Sequence, residues 1–234
     1  MLLFLKKYFD GFLHLIFPKI CLHCGSEELP NQNVICSTCY FKLPFTDFLQ
    51  IENNVVEKIF WGRVSLGASG AALFFTKNSI VQLLIFELKY KQNKRAGWLL
   101  GQIIAETMKL SNRFNHIDYL IPVPLRQKKE RNRGYNQTYI ICEGIAQVLA
   151  IPIEKRVLYK KKPSLTQTQK GRIERGQNSN RLFSLKNTTV LFNKRLLLVD
   201  DVITTGATAE SACLCLQQAR PADIQFVAAA YTLS

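Results

Sequence analysis

The sequence predicts an α/β fold in which helices flank a parallel β-sheet. Two patterns predict it: apolar residues recur at helical spacing in several segments, and short continuous apolar runs lie between those segments. Continuous runs are typical of strands covered on both faces, and their alternation with helices is typical of parallel sheets. The chain has 234 residues, of which 47% are hydrophobic, so it can bury an ordinary core. Wholesale disorder and collagen-like or coiled-coil classes are thereby excluded.

The predicted elements begin after an irregular region and then alternate along the chain. Residues 42–77 show no sustained period apart from strand-like pieces within 64–75. Helical faces are predicted within residues 100–108, 141–149 and 209–219. Strands are predicted at residues 119–123, 196–199 and 224–230. This alternation assigns residues 46–234 to the α/β domain and leaves residues 1–45 as a separate N-terminal module.

The start of the chain is predicted to be a short amphipathic helix. Its apolar residues recur at helical spacing before Pro18 ends the pattern, at Leu2, Leu5, Phe9, Phe12, Leu13 and Ile16. Such a face packs either on its own domain or against a partner protein or a membrane surface. Charged residues interrupt the segment, so we expect no transmembrane helix, no secretory signal and a cytoplasmic protein.

Four of the seven cysteines form two C-x-x-C pairs. Eleven residues separate the pair Cys21 and Cys24 from the pair Cys36 and Cys39. Two such pairs can close tetrahedrally around one zinc ion, which predicts a structural zinc module in preference to a redox site. His23 lies inside the first pair and is interpreted as a bystander.

The segment from Leu196 to Thr208 carries the clearest chemical signal. A buried strand ends in two aspartates, and a short loop with threonines and one glycine then opens directly into a helix. The N–H groups of such a loop and helix N-terminus form a site for a phosphate dianion. The carboxylates can accept hydrogen bonds from vicinal sugar hydroxyls or hold Mg²⁺ through water. The predicted sugar-phosphate site consists of Asp200, Asp201, Thr204, Thr205, Gly206, Ala207 and Thr208.

The alternative for this segment is an ordinary strand-to-helix turn in which Asp and Thr side chains only cap the helix. Two adjacent carboxylates at the end of an apolar strand are costly without a ligand or a cation, which favours the binding site. The segment lacks the Gly-Lys-Ser/Thr of a P-loop and the three-glycine spacing of a dinucleotide-binding loop, so both of those classes are excluded.

A basic segment follows the predicted strand at residues 119–123. Residues 121–186 contain 15 Lys and Arg residues and four acidic residues, so +11 of the net charge of +14 lies there. If the sheet is parallel, this predicted basic loop meets the phosphate loop at one edge, where cations can neutralise a diphosphate or a nucleic-acid backbone. The alternative is a solvated loop. The predicted contact residues are Arg126, Lys128, Lys129, Arg131 and Arg133.

A polar and basic stretch runs from Thr166 to Asn178 and reaches Phe183. It has no apolar periodicity, which predicts either a mobile arm that orders over the site or a plain surface loop.

Together these segments resemble the ComF family. They are the four-cysteine head, LKY at residues 88–90, PVPL at 122–125, RGYNQ at 133–137, TQTQK at 166–170 and VDDVITTGAT at 199–208. They occur in the family's order and cover nearly the whole chain. The resemblance implies a zinc-ribbon module fused to a type I phosphoribosyltransferase domain, and an association with DNA uptake during natural transformation.

The resemblance also implies roles for individual residues. Asp200 and Asp201 would take the ribose hydroxyls of 5-phosphoribosyl 1-diphosphate (PRPP) as candidate catalytic residues, and residues 204–208 would bind its 5-phosphate. Lys89 and Tyr90 match the segment that lies near the diphosphate in such folds.

The sequence leaves two main functions open. The first is an accessory factor in DNA uptake that binds single-stranded DNA, and PRPP or a related sugar phosphate. The second is an active phosphoribosyltransferase in which an unidentified nitrogenous acceptor displaces diphosphate from PRPP with the help of Mg²⁺. A third function, an interaction module assembled through the cysteine head and the N-terminal helix, leaves the paired acids and the threonine-rich turn unexplained.

Overall fold

The computed structural model describes residues 20–29, 34–161 and 182–232. The chain divides into two compact units, Met1–Leu43 and Pro44–Ser234. The predicted N-terminal helix and the predicted polar arm at residues 166–178 lie outside the described residues. No helix within the described ranges is long and apolar enough to cross a bilayer.

The first unit is built around the two cysteine pairs. The Gly25 N–H donates to the Cys21 carbonyl at 2.9 Å, and this turn brings Gly25 to a φ of +74°. That conformation favours glycine because a Cβ would be strained there. The second pair lies at the start of a short helix, α1 (Ser37–Phe41), which Cys36 precedes as the N-cap residue. The two turns therefore present their thiols from short, locally constrained segments.

The second unit contains a four-stranded sheet in which every strand pair is parallel. Its strands are β1 (Ser69–Phe75), β2 (Tyr119–Pro122), β5 (Arg195–Ile203) and β6 (Asp223–Thr232), in the order β1-β6-β5-β2. The predicted α/β class, a parallel sheet flanked by helices, is confirmed. Strands β2, β5 and β6 overlap the apolar runs identified in the sequence, and β1 overlaps the strand-like pieces within residues 64–75.

Six α-helices of this unit lie within the described residues, together with two 3-10 helices at Thr188–Leu191 and Gln217–Ala219. The α-helices are α2 (Val55–Phe60), α3 (Ile80–Tyr90), α4 (Lys94–Lys109), α5 (Gln127–Arg133), α6 (Gln137–Leu149) and α7 (Ala207–Leu216). The predicted helical faces fall in α4, α6 and α7. Helices α2 and α3 were not predicted from the sequence; the side chains of Asn54 and Ser79 cap them.

Helices cover both faces of the sheet. Leu196 and Leu198 point to the face that packs against α7, while α4 and α6 cover the opposite face. The intervening residue Leu197 is also fully buried, so the strand is apolar on both sides. This arrangement explains why the strands read as continuous apolar runs and not as alternating patterns.

The backbones of α4 and α6 are in direct contact. A Cβ atom on Gly101 would overlap the carbonyl oxygen of Ile141, and one on Gly144 would overlap that of Trp98. Only glycine allows two helices to approach this closely. The contact fixes α6, whose first residue, Gln137, reaches the carboxylates at the end of β5.

A separate two-stranded antiparallel ladder pairs β3 (Leu158–Lys160) with β4 (Phe183–Leu185). The prediction that Phe183 ends a mobile polar arm is therefore wrong for that residue. Its side chain is 1% exposed and lies in the hydrophobic core. Removal of this apolar ring from water stabilises the folded state, which favours its burial. The Lys160 ammonium lies 5.3 Å above the Phe183 ring.

Candidate functional site

The carboxyl ends of β2 and β5 bring the predicted phosphate loop and the predicted basic segment to one edge of the sheet. The two strands pair in parallel, with Pro122 opposite Val199. The next residue, Val123, donates its N–H to the Val199 carbonyl at 3.0 Å. Asp200 and Asp201 follow immediately on β5. The two strands are therefore parallel, which was the condition for the basic segment to meet the phosphate loop at one edge.

Asp201 is buried and bound by two side chains from other helices. Its Oδ2 atom lies 2.8 Å from the Lys89 ammonium of α3 and accepts a 3.0 Å hydrogen bond from the Gln137 amide of α6. The residue is 6% exposed, so the ion pair has little contact with solvent. Lys89, matched to the diphosphate side, is engaged with this carboxylate. Gln137 belongs to the RGYNQ segment, but its sequence position alone did not identify it as a contact of Asp201.

Asp200 interacts with both the backbone and the carboxylate of Asp201. Its Oδ1 atom accepts the Asp201 N–H at 2.8 Å. Burial and the adjacent Asp201 carboxylate raise the pKa of Asp200 to about 7, against the opposing charges of Lys89 and Lys160. Asp200 therefore exchanges its proton close to neutral pH, which an ordinary aspartate does not.

The loop after β5 is open to solvent and ends in a helix. Thr204, Thr205 and Ala207 are exposed, and Thr208 is half-buried. Gly206 is the N-cap residue of α7 and has a φ of +73°. A Cβ there would also collide with the side chain of Ile59, so both the conformation and the space require glycine. The exposed loop and the N-terminus of α7 leave room for an anion beside the two aspartates.

The side chain of Arg63 contacts both this loop and helix α7. Its Nη1 atom donates to the Thr205 carbonyl at 3.2 Å, and its guanidinium forms an ion pair with Glu210 of α7. No sequence pattern indicates this role, since Arg63 lies 142 residues before Thr205 in the region without a regular pattern.

The basic segment forms a helix, so the prediction of a basic loop is wrong. Helix α5 has no buried residue. All of its side chains are polar, so this helix has no apolar face to pack against the core. Four of the five predicted cations are exposed: Arg126, Lys128, Lys129 and Arg131. Arg133 is half-buried and donates to the Gln137 side chain at 3.0 Å. Its guanidinium also lies 5.4 Å from the ring of the exposed Tyr90. Arg133 therefore contacts Gln137, which binds Asp201, and Tyr90, which follows Lys89 on α3.

The four cysteines of the first unit form one cluster. All four Sγ atoms lie within 4.8 Å of one another, and the Cys24 and Cys36 sulfurs are 3.5 Å apart. Burial acts to raise the pKa of Cys21, but N–H groups donated by Cys24 and Cys36 outweigh it and lower the pKa to about 6. Four thiols in this arrangement fit the tetrahedral ligand set of zinc. The four cysteines are therefore close enough to bind one zinc ion together.

His23 lies closer to this cluster than its interpretation as a bystander suggests. Its Nδ1 atom is 3.4 Å from the Cys39 sulfur. It adjoins the four-thiol set without belonging to the group of mutually close ligand atoms.

The chain is similar to proteins named for competence and DNA use. It is 27% identical to competence protein F of Haemophilus influenzae over 206 residues, which cover 88% of this chain and 81% of that protein. It is 26% identical to competence protein ComFC of Streptococcus pneumoniae over 208 residues, covering 88% and 84%. DNA utilization protein YhgH of Escherichia coli is 26% identical over 138 residues, covering 57% and 60%. These relatives confirm the resemblance to the ComF family.

Two solved structures complete the comparison, and no protein-family model matches the chain. Glutamine PRPP amidotransferase from B. subtilis has a TM-score of 0.44 at 21% identity, covering 62% of this chain and 30% of that one. Hypoxanthine-guanine phosphoribosyl transferase from L. donovani has a TM-score of 0.39 at 14% identity, covering 58% and 71%.

If the cysteine cluster holds a structural metal, purified protein should contain about one zinc ion per chain, as four thiolates require. Cys36→Ser should lose that zinc, because it removes one ligand of the tetrahedron, while Ser37→Ala on the next, exposed position should keep it. His23→Ala should also keep it if histidine is not a ligand. Elemental analysis of the three variants provides the measurement, and undiminished zinc in Cys36→Ser would contradict the assignment.

The raised pKa of Asp200 predicts that this residue reduces stability at neutral pH. The folded protein binds the Asp200 proton more tightly than the unfolded chain does, so protonation favours the folded state. This stabilisation is fully present below the unfolded-state pKa, about 4, and is lost as the pH rises to about 7. Asp200→Asn should therefore raise the free energy of unfolding at about pH 8, by up to about 4 kcal/mol. The gain should shrink toward about pH 4.

Urea unfolding across this pH range measures the difference, with Asp118→Asn as the control. The N–H of Arg195 and the side chain of Lys194 lower the pKa of Asp118, so its effect has the opposite sign. Asp118→Asn should not be more stable than the wild type at about pH 8, where an equal gain in both variants would refute the argument.

Proposed function

We propose that this chain is a DNA-uptake factor that binds single-stranded DNA on α5 and a sugar phosphate, PRPP or a related compound, at the end of β5. Its relatives by sequence are a competence protein F, a competence protein ComFC and a DNA utilization protein. What those names say of the relatives is extended here to this chain. The proposal combines two anion sites at one edge of a sheet.

The single observation that carries the proposal is the juxtaposition at this edge. The half-buried Asp200 and the buried Asp201 are followed by an exposed threonine loop and a helix N-terminus, and the basic helix α5 follows the adjacent strand. Carboxylates suit the hydroxyls of a ribose, and N–H groups suit its phosphate. Mg²⁺ bound with the diphosphate would be held through Asp200 and would offset charge there.

The exposed cations of α5 and of its N-cap residue Arg126 support the nucleic-acid part of the proposal. Arg126, Lys128, Lys129 and Arg131 are all open to solvent, whereas Glu130 is the one acidic residue of the helix. Lysine and arginine side chains in this arrangement release counterions when they meet a phosphate backbone, which makes affinity depend strongly on salt. Residues 121–186 as a whole carry +11.

The second candidate function is an active phosphoribosyltransferase. The observation that favours it is the pKa of Asp200, about 7, which lets this carboxylate take up a proton at neutral pH beside a bound sugar. In that reaction a nitrogen nucleophile forms a bond to the ribose carbon, diphosphate departs with the bonding electron pair, and the nucleophile gives up a proton. Only the transferase releases diphosphate, so analysis of the products distinguishes the two candidate functions.

For the DNA site, labelled single-stranded DNA should bind with an affinity that falls steeply as salt rises. Arg131→Ala should weaken binding and reduce the slope of log affinity against log salt by about 1, as loss of one phosphate contact does. Lys109→Ala, an exposed cation at the end of α4, should leave both unchanged. Fluorescence anisotropy at several salt concentrations gives the measurement. Absent or salt-independent binding by the wild type would count against the proposal.

For the sugar-phosphate site, calorimetric titration with PRPP and Mg²⁺ should show saturable binding. Asp200→Asn and Asp201→Asn should each weaken it about tenfold or more, since a hydrogen bond to a charged group contributes about 1.5–3 kcal/mol. Asp118→Asn, which lies at the opposite end of β5, should bind like the wild type. Release of diphosphate when nitrogenous bases are added would support the transferase; equal binding by all variants would place PRPP elsewhere.

A further inference from the structure

A cavity with both polar and apolar lining, which includes Leu125 and Leu158, adjoins α5 on the side facing α6 and β3. Its volume is about 320 Å³, near the lower end of the range for small-ligand sites. The end of β2 forms its floor through Pro122 and Pro124. Three tyrosines and two lysines supply its remaining chemistry, together with Glu130 and Asn136: Tyr135, Tyr139, Tyr159, Lys155 and Lys160. The cavity is distinct from the phosphate loop, none of whose residues lines it.

Each of the three tyrosine rings is half-buried and carries a lysine near its face. The Lys155 ammonium lies 4.5 Å from the centre of the Tyr139 ring, Lys186 lies 5.0 Å from that of Tyr159, and Lys94 lies 5.5 Å from that of Tyr135. An aromatic ring beside a cation at a solvent-open cavity is the combination used to stack a base and neutralise the neighbouring phosphate. Lysine and glutamate side chains line this cavity beside its apolar groups, unlike an empty cavity in a hydrophobic core.

We infer that this cavity takes an unstacked base of single-stranded DNA, stacked on Tyr139 and Tyr159, while α5, Lys155 and Lys160 bind the flanking phosphates. The inference rests on the proposed function and specifies how that function reads its strand. The exposed cations of α5 lie beside the cavity, since Gln127 and Glu130 of the same helix line it. A base inside a duplex is stacked and paired, so only a single strand can offer one to such a cavity.

Lys160 connects this cavity to the sugar-phosphate site. It lines the cavity, and its charge acts on Asp200 of β5. On this proposal, one cation therefore serves both anionic ligands. Lys160→Met should weaken the binding of DNA and of PRPP, whereas the loss of a tyrosine ring should weaken DNA binding alone.

The test compares two labelled oligomers of about 16 nucleotides, the upper end of site sizes for such surfaces. One is oligothymidine, and the other has the same phosphates but abasic sugars. Tyr139→Leu and Tyr159→Leu should each weaken oligothymidine binding by about 5- to 100-fold. They should leave abasic binding within about twofold of the wild type, because the phosphate contacts remain. PRPP binding by these variants should be unchanged, which also shows that they fold.

Two control variants sharpen the result. Tyr139→Phe keeps the ring and should restore oligothymidine binding to within about twofold of the wild type. Phe192→Leu removes an exposed aromatic residue that does not line the cavity and should have no effect.

Several outcomes would overturn the inference. If Tyr139→Leu and Tyr159→Leu bind oligothymidine like the wild type while Arg131→Ala loses affinity, the cavity is not the base site, but the proposed function stands. If the wild type binds neither oligomer, the DNA part of the proposed function fails with it. Tighter binding of oligouridine than of oligothymidine would assign the cavity to RNA.

Discussion

The placement of two adjacent carboxylates at the end of a buried strand is the constraint on which the rest of the site depends. Burial of a like-charged pair is costly, and the chain offsets that cost with groups from three separate elements: Lys89 of α3, Gln137 of α6 and Lys160 of β3. Asp201 is held by the first two, while Asp200 keeps a near-neutral pKa. The arrangement leaves one of the two carboxylates able to respond to a bound ligand.

The parallel sheet makes this convergence possible. Because the carboxyl ends of parallel strands meet at one edge, segments that are distant in the chain start from neighbouring positions. The contact of Gly101 and Gly144 between α4 and α6 then fixes the helix from which Gln137 reaches Asp201. Arg63 secures the other side of the site through the Thr205 carbonyl and Glu210. A ligand would thus meet a surface that packing has already positioned.

The positive charge at this edge has two different uses. Arg133 and Lys89 are engaged within the protein, with a tyrosine ring, an amide and a carboxylate. The cations on the outer surface of α5 face solvent, as expected of groups that meet a polyanion. The distinction separates structural cations from those open to a ligand, although Arg133 and the exposed cations belong to one basic stretch of sequence.

Local spacing in the sequence was enough to predict the α/β class, the run from Asp200 to Thr208 and the grouping of the four cysteines. It misjudged α5 and Phe183: a polar helix without an apolar face leaves no periodic signal, and burial of Phe183 depends on a distant core. Only the tertiary structure placed Gln137, Lys160 and Arg63 around the site. Their contacts span long separations in the chain, and composition and periodicity carry no information about which distant segments pack together.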